Sequence, residues 1–248
     1  MKAILASLLL AAALTAAAQT AAPAAEAPAP AAQAPARPAR RPLPPEAFTT
    51  PSNFVALVNV NGTVDPAWLG EQAAAMQRSL MVGVKAVSME EKNPAPVRPG
   101  REFALGLFDL VPDAKILVIL AEGEDLPPIL ASPYEHWVVM DAGWVKRGGG
   151  DAALVNDRMG KRIYQAIGAC CGAAYHPEPQ AVMRYSPTPE SLDQCLSHNF
   201  HPLNLNAFSI VARAVGLDPV RLRPRKELVE LGIIKPRPPK PEEEKQDH

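Results

Sequence analysis

Apolar residues along the chain fall into short runs and into one long periodic stretch, and the two patterns predict different elements. Short runs bounded by turn residues predict buried strands at Phe54–Val60, Val82–Val87 and Ala114–Leu120. The segment Tyr134–Val145 has the same character and predicts one or two further strands, with both of its tryptophans among them. These runs supply enough strands for one sheet.

Helices are predicted where apolar residues follow a capping residue with helical spacing. Asp65 followed by Pro66 predicts an N-cap and first turn, and the helix continues to about Leu80. Asp151 is the expected N-cap of a long helix over 152–174, whose apolar side carries Leu154, Met159, Ile163, Ile167 and Cys171. Shorter helices are predicted after Thr188 and at Asn206–Val215. The apolar segment Phe103–Val111 suits a helix or a strand, and its length favours a helix. The order of strands and helices predicts a single α/β (α+β) domain with a mixed sheet.

The two ends of the chain differ in composition from this middle part. Residues 1–18 begin with Met1-Lys2, continue with a short apolar run and end in small residues, which predicts a secretory signal peptide. Residues 19–50 are rich in Ala and Pro and predict a disordered linker, and 235–248 predict a disordered Pro-rich, charged tail. The folded domain is then expected at 51–234. The protein is expected to be exported, to the periplasm or the extracellular space, with no transmembrane segment in its mature chain.

Charge and cysteine content restrict the partners and the redox chemistry. The formal net charge of −1 gives no broad basic field, so we expect no nucleic-acid partner. The chain has three cysteines, Cys170, Cys171 and Cys195. Either Cys170 or Cys171 pairs with Cys195, as an oxidising compartment would allow, or all three remain buried thiols.

The most informative motif lies on the long helix and in the loop behind it. The helix carries Gln165-Ala166-Ile167-Gly168-Ala169-Cys170-Cys171-Gly172, and Val182-Met183 follows after a loop. In spacing it resembles the archaemetzincins, a branch of the metzincin zinc proteases, whose pattern is H-E-x-x-H-x-x-G followed by a Cys, a C-x-M and a C-x-x-C. The resemblance implies a metzincin-like domain with a former active-site helix, a Met-turn and C-terminal helices. The positions of this chain that correspond to the catalytic motif are Gln165, Ala166, Ala169, Gly172, Tyr175 and Met183.

The side chains at these positions cannot perform the family's chemistry. A catalytic zinc needs three protein ligands and a carboxylate that takes a proton from bound water. Gln165 and Ala169 stand in place of the two helix histidines, and Ala166 stands in place of the glutamate. We therefore expect a catalytically inactive pseudoprotease without a cofactor. Its role would be to bind a peptide or protein, or to act as a scaffold in the cell envelope.

A second reading keeps a metal ion at another place. His176 and His201 stand at two of the four cysteine positions of the family's structural zinc site, and Cys195 and His198 lie nearby in sequence. In a helix, Cys195-x-x-His198-x-x-His201 would share a face and could bind zinc together with His176. The chain would then be a metal-dependent hydrolase or a metal-binding protein. Alternatively, Cys195 belongs to the core and the histidines are surface or capping groups. The sequence gives neither the ligand nor the oligomeric state.

Overall fold

Five strands form one mixed sheet in the computed structural model, which describes residues 43–89, 99–123 and 125–236. Their order across the sheet is β2-β1-β3-β5-β4. Four of them are parallel, and only β4 runs antiparallel, against β5. The mixed sheet of the predicted α/β fold is therefore confirmed. The strands are β1 (Phe54–Asn59), β2 (Gly83–Ser88), β3 (Ala114–Ala121), β4 (Ile129–Ser132) and β5 (Trp137–Asp141).

Helices cover both faces of this sheet. They are α1 (Pro66–Leu80), α2 (Arg101–Leu110), α3 (Ala142–Arg147), α4 (Ala152–Cys170), α5 (Pro202–Ala214) and α6 (Arg225–Glu230), with 3-10 helices at Pro45–Ala47 and Pro189–Gln194. Because side chains alternate along a strand, Leu57 and Val118 face a core shared with α1, α4 and α5. Ala56 and Leu117 face a smaller core shared with α2. Strands β1 and β3 are covered on both sides, which explains their continuous apolar sequences.

Both predicted aspartate caps are confirmed. The Asp65 carboxylate accepts hydrogen bonds from the backbone N–H groups of Ala67 and Trp68 at the start of α1. The Asp151 carboxylate accepts one from Leu154 N–H at the start of α4, at 2.8 Å. Each aspartate accepts hydrogen bonds from backbone N–H groups that have no partner within the helix. The starts of α1 and α4 are therefore determined by residues adjacent in sequence.

Other boundaries differ from the sequence prediction. Only Trp137–Asp141 of the segment 134–145 is a strand, and Trp144 lies in α3. Strand β4 and helix α6 were not predicted, and α5 begins at Pro202 rather than at residue 206. Helix α4 ends at Cys170. For β4, α3 and α5, packing against β5 or α4 decides the outcome, since a short apolar run suits either element.

Part of the predicted linker is folded in the structure. Thr49 N–H donates to the Arg221 carbonyl at 2.8 Å, and Arg223 N–H donates to the Ala47 carbonyl at 2.9 Å. Ala47 is fully buried. Residues 47–49 are thus paired with the chain near its other end. The predicted signal peptide 1–18, the linker before residue 43 and the tail from residue 237 lie outside the described residues.

No helix among the described residues is long and apolar enough to cross a membrane.

Helix α4 is enclosed along most of its length. Its second half approaches the loop that follows it so closely that one position needs glycine. A Cβ on Gly168 would lie 2.5 Å from both Sδ and Cε of Met183, and 3.5 Å from a ring carbon of Phe200. Met183 is itself only 1% exposed, so it has little room to move away.

Alanine at two helical glycines tests this packing. Gly106 lies in α2, where a Cβ would meet no atom within 4 Å. Gly106→Ala should raise the free energy of unfolding by about 0.5–1 kcal/mol, because alanine favours the helix. Gly168→Ala gains the same propensity but overpacks Met183 at a cost of about 1–3 kcal/mol. Urea denaturation should therefore show Gly168→Ala to be the less stable variant; equal stabilisation of the two would contradict this packing.

Candidate metal centre

The loop that leaves α4 carries the first two residues of the site. The helix stops because Gly172 takes a left-handed backbone conformation, with φ of 67°. A Cβ there would meet nothing within 4 Å, so the backbone angle rather than lack of space favours glycine. The chain then turns back, and His176 N–H donates to the Met183 carbonyl at 2.9 Å. This bond closes the loop and fixes His176, which is buried, beside the exposed Glu178.

Helix α5 supplies the third residue at its first turn. His201 is the N-cap, and its Nδ1 accepts a hydrogen bond from Leu203 N–H at 3.4 Å. Pro202 follows at the first helical position, which its fixed φ favours. The buried Asn204 side chain donates to the Ala174 carbonyl at 3.0 Å. These contacts hold the start of α5 against the loop after α4.

The two histidines meet where the loop and α5 come together. Their ring centroids are 4.0 Å apart. One nitrogen of His176, one of His201 and a carboxylate oxygen of Glu178 all lie within 4.8 Å of one another. Neighbouring ligands of a tetrahedral zinc ion are about 3.3–3.6 Å apart, so a shift of about 1 Å would complete the site. The exposed Glu178 side chain is free to make that movement.

A metal ion that binds the His176 and His201 rings has to replace a hydrogen bond at each of them. Nδ1 of His176 accepts from Glu178 N–H at 3.2 Å, and Nδ1 of His201 accepts from Leu203 N–H. A ring that binds metal through Nδ1 uses this lone pair, and one that binds through Nε2 carries its proton on Nδ1. Metal binding therefore gives up both long bonds, at a cost of about 0.5–2 kcal/mol for a helix cap. Apparent zinc-binding energies of structural sites, about 10–16 kcal/mol, are far larger.

An open cavity of about 340 Å³ lies beside the cluster. Its lining residues are Glu178, Gln180, Ala181, Leu196, Ser197 and His201. Two of the three cluster residues therefore face a space that solvent can reach. An ion bound there by three side chains would keep a coordination position for water or another small ligand.

Two other residues of the sequence-predicted metal site lie elsewhere. His198 is exposed, and its Nε2 contacts the Asp157 carboxylate. Cys195 is fully buried, and burial raises the pKa of its thiol. The segment is not helical as the spacing argument assumed, because Cys195 has an extended backbone at the end of a 3-10 helix. Among the described residues, Glu178 takes the third place in the cluster. The pattern His176-x-Glu178 was the only local signal for it.

The positions that correspond to the family's helix motif form a different kind of contact. The Gln165 carboxamide is buried and donates to the carbonyls of Val182 and Arg184, each at 2.9 Å. Its oxygen accepts from Arg162 Nη1 at 2.5 Å. An amide thus links helix α4 to the segment around Met183. Ala166 is fully buried, and Ala169 has no donor atom in its side chain.

Tyr175, another of the motif positions, lies at the surface. Tyr175 is 53% exposed and packs edge-on against Tyr185, with ring centroids 5.3 Å apart. With an amide at residue 165 and methyl groups at 166 and 169, these side chains do not fit a catalytic zinc.

The prediction that the chain carries no metal cofactor is nevertheless wrong. It followed from the missing zinc ligands of the helix motif, whereas the structure gathers two imidazoles and a carboxylate elsewhere, at His176, Glu178 and His201. The prediction that the chain is not an enzyme is wrong for the same reason, because it relied on the absent zinc ligands and general base of that motif. A group that can hold a divalent ion beside an open cavity has the elements of metal-assisted chemistry.

All three cysteines are free thiols. Cys170 and Cys171 lie at the buried end of α4, and burial raises the pKa of Cys171 to about 12. The pKa of Cys170 is raised further by burial and by its neighbour Cys171. Such thiols are poor nucleophiles at neutral pH. Cys170, Cys171 and Cys195 therefore serve as packing residues in this structure.

The chain is similar to two solved structures. No protein-family model matches the chain, and no curated protein matches it significantly. The crystal structure of archaemetzincin from Methanopyrus kandleri matches with a TM-score of 0.48 and 17% identity, over 65% of this chain and 96% of that one. A zinc-dependent peptidase from Methanocorpusculum labreanum matches with a TM-score of 0.48 and 12% identity, over 62% and 99%. The motif spacing predicted a resemblance to the archaemetzincins, and the two structures to which the chain is similar are an archaemetzincin and a zinc-dependent peptidase.

Proposed function

We propose that this protein binds a zinc ion through His176, Glu178 and His201. The observation that supports the proposal is the convergence of two imidazoles and one carboxylate within 4.8 Å. Imidazole nitrogen and carboxylate oxygen together form a ligand set typical of zinc. The three residues come from two segments that pack together in the fold, so the site is largely formed before an ion arrives.

The ion would have a structural effect as well as a chemical one. It would join the loop after α4 to the first turn of α5, two segments that the Asn204–Ala174 hydrogen bond already connects. Because an ion that binds only the folded state stabilises it, the melting temperature should rise with zinc concentration.

Metal-assisted hydrolysis is the second candidate function, and the open cavity favours it. An ion held by His176, Glu178 and His201 would supply Lewis-acid chemistry and could activate a water molecule from the cavity. Gln180 and Ser197 offer polar groups to a substrate in this cavity, and Leu196, 66% exposed, offers an apolar one. Within the described cavity lining, Glu178 is the one carboxylate, so any general base would come from a water or from the substrate.

Export is proposed from the amino terminus. Met1-Lys2, the apolar run and the small residues before Gln19 support it. Intact-mass analysis of protein purified from a secreting host should show a chain that begins near Gln19. A full-length chain retained with the cytosolic fraction would reject export.

Zinc binding is tested with ligand variants that preserve the local fold. Glu178→Gln keeps the shape of the side chain, and His201→Asn keeps a good N-cap for α5. The wild type should bind about one zinc ion per chain by calorimetry and elemental analysis. Each variant should weaken binding by more than the roughly 10–100-fold that loss of an outer-shell partner costs.

His198→Asn is the matched control, because His198 lies outside the cluster and is exposed. It should bind zinc as the wild type does. If the wild type binds no zinc, or if His198→Asn loses it as severely as His201→Asn, the proposed site is wrong. Hydrolysis is examined afterwards, by comparing zinc-loaded wild type and Glu178→Gln on unstructured peptides.

A further inference from the structure

Another open cavity, of about 240 Å³, lies where helix α1, helix α4 and the segment before α5 meet. We call it the α1–α4 cavity. Its lining includes one turn of α1, at residues 68 and 72, and one face of α4, at residues 156, 157 and 160. Asn156 and His198 are exposed, so a ligand can reach the cavity from solvent. The lining residues that matter below are Trp68, Gln72, Asn156, Asp157, Gly160 and His198.

A glycine and a tryptophan give the α1–α4 cavity its shape. Gly160 is buried, and a Cβ there would lie 3.1 Å from Oε1 of Gln72. Any side chain at residue 160 would therefore push Gln72 aside and occupy space between the two helices. Trp68 is half-buried and packs against the larger core, which holds its indole in place at the cavity. The space is thus kept open by residues that have little freedom to move.

Two carboxamides of the cavity have hydrogen-bonding groups to spare. The Gln72 and Asn156 side chains make no hydrogen bond to any residue in the described part of the chain. Each carboxamide offers two N–H donors and one oxygen acceptor. The lining can therefore exchange several hydrogen bonds with a ligand that both donates and accepts.

The charges around the α1–α4 cavity favour a neutral ligand. The Asp157 carboxylate binds the Lys161 ammonium at 2.7 Å and the His198 ring. Partial burial alone would raise the pKa of Asp157, but the hydrogen bonds from Lys161 and His198 hold it below its usual value. A cation would meet a carboxylate whose charge Lys161 already compensates, and an anion would be repelled by the same carboxylate.

We propose that the α1–α4 cavity binds one neutral sugar ring of a saccharide. Sugar hydroxyl groups donate and accept at once, so they match the carboxamides of Gln72 and Asn156 together with the Asp157 oxygens. The C–H face of a pyranose ring is apolar and can stack on the indole of Trp68. Cavities for drug-sized ligands measure about 300–1,000 Å³, so this smaller one suits a single ring.

A nucleotide fits these features less well, although its base would also stack on an indole. Its phosphates would meet the Asp157 carboxylate, and the one cationic partner of that group, Lys161, is buried beneath it. The proposal does not depend on the zinc site, because none of His176, Glu178 and His201 lines the α1–α4 cavity.

The indole N–H signals of the three tryptophans give a direct test by NMR in the unmodified protein. The mature chain is titrated with methyl glucoside, methyl galactoside and methyl N-acetylglucosaminide. At least one of them should shift the Trp68 signal with a Kd of about 1–10 mM, while the signals of Trp137 and Trp144 stay in place. Sorbitol, which has the hydroxyl groups without a ring, and adenosine monophosphate should leave all three unchanged. Trp68→Phe assigns the signal.

Gln72→Ala should weaken the glycoside that binds by about three- to tenfold, because it removes one hydrogen-bonding side chain. Glu71→Ala is the matched control, since Glu71 is exposed on the same helix and lies outside the cavity lining. It should bind the glycoside as the wild type does. Glu178→Gln should do so too, so that loss of the zinc site and loss of the sugar site are told apart.

The proposal is overturned if none of the three glycosides shifts the Trp68 signal at about 50 mM, since that excludes low-millimolar affinity. Equal shifts with sorbitol would show a general solvent effect, and tighter binding of adenosine monophosphate would assign the cavity to another class of ligand. Equal weakening in Gln72→Ala and Glu71→Ala would place the glycoside elsewhere on the protein. Each of these results contradicts the proposed site.

Discussion

Helix α4 has to bury long polar side chains inside the protein, and the loops around it supply hydrogen-bond partners for most of their polar atoms. Arg158, Lys161, Arg162 and Gln165 are each at most 4% exposed. Leaving such groups without partners costs several kcal/mol, so the chain around the helix is ordered by their hydrogen bonds. Arg158 binds Asp193, Lys161 reaches the Leu192 carbonyl, and Gln165 holds the segment 182–184.

The candidate metal centre depends on this arrangement without being part of the helix. Gln165 fixes the segment that contains Met183, and the Met183 carbonyl in turn holds His176. His201 is the N-cap of α5. The Asn204 side chain in the same helix donates to the Ala174 carbonyl and so holds α5 against the loop after α4. The Gln165 amide on α4 thus connects this helix to the segment around Met183. The residues suited to a metal ion lie instead in the loop after α4 and at the start of α5.

Local chemistry made some parts of the fold predictable from the sequence. The caps Asp65 and Asp151 and the apolar strands β1 and β3 depend on adjacent residues, so their patterns were sufficient. Trp144 was placed in a strand because its helix is specified by packing on α4 rather than by periodicity. The metal cluster could be predicted only in part. His176 and His201 are distant in sequence, and the spacing of 195, 198 and 201 was read as helical although Cys195 has an extended backbone.

X-ray absorption at the zinc edge of the zinc-loaded protein would identify the ligand atoms of the ion themselves. We expect two imidazole nitrogens with one or two oxygens, all at about 2.0–2.2 Å, and no sulfur. A sulfur ligand at about 2.3 Å would show that a cysteine binds the ion, in place of the cluster His176, Glu178 and His201. A protein that cannot be loaded with zinc would show that these three residues do not form a zinc site.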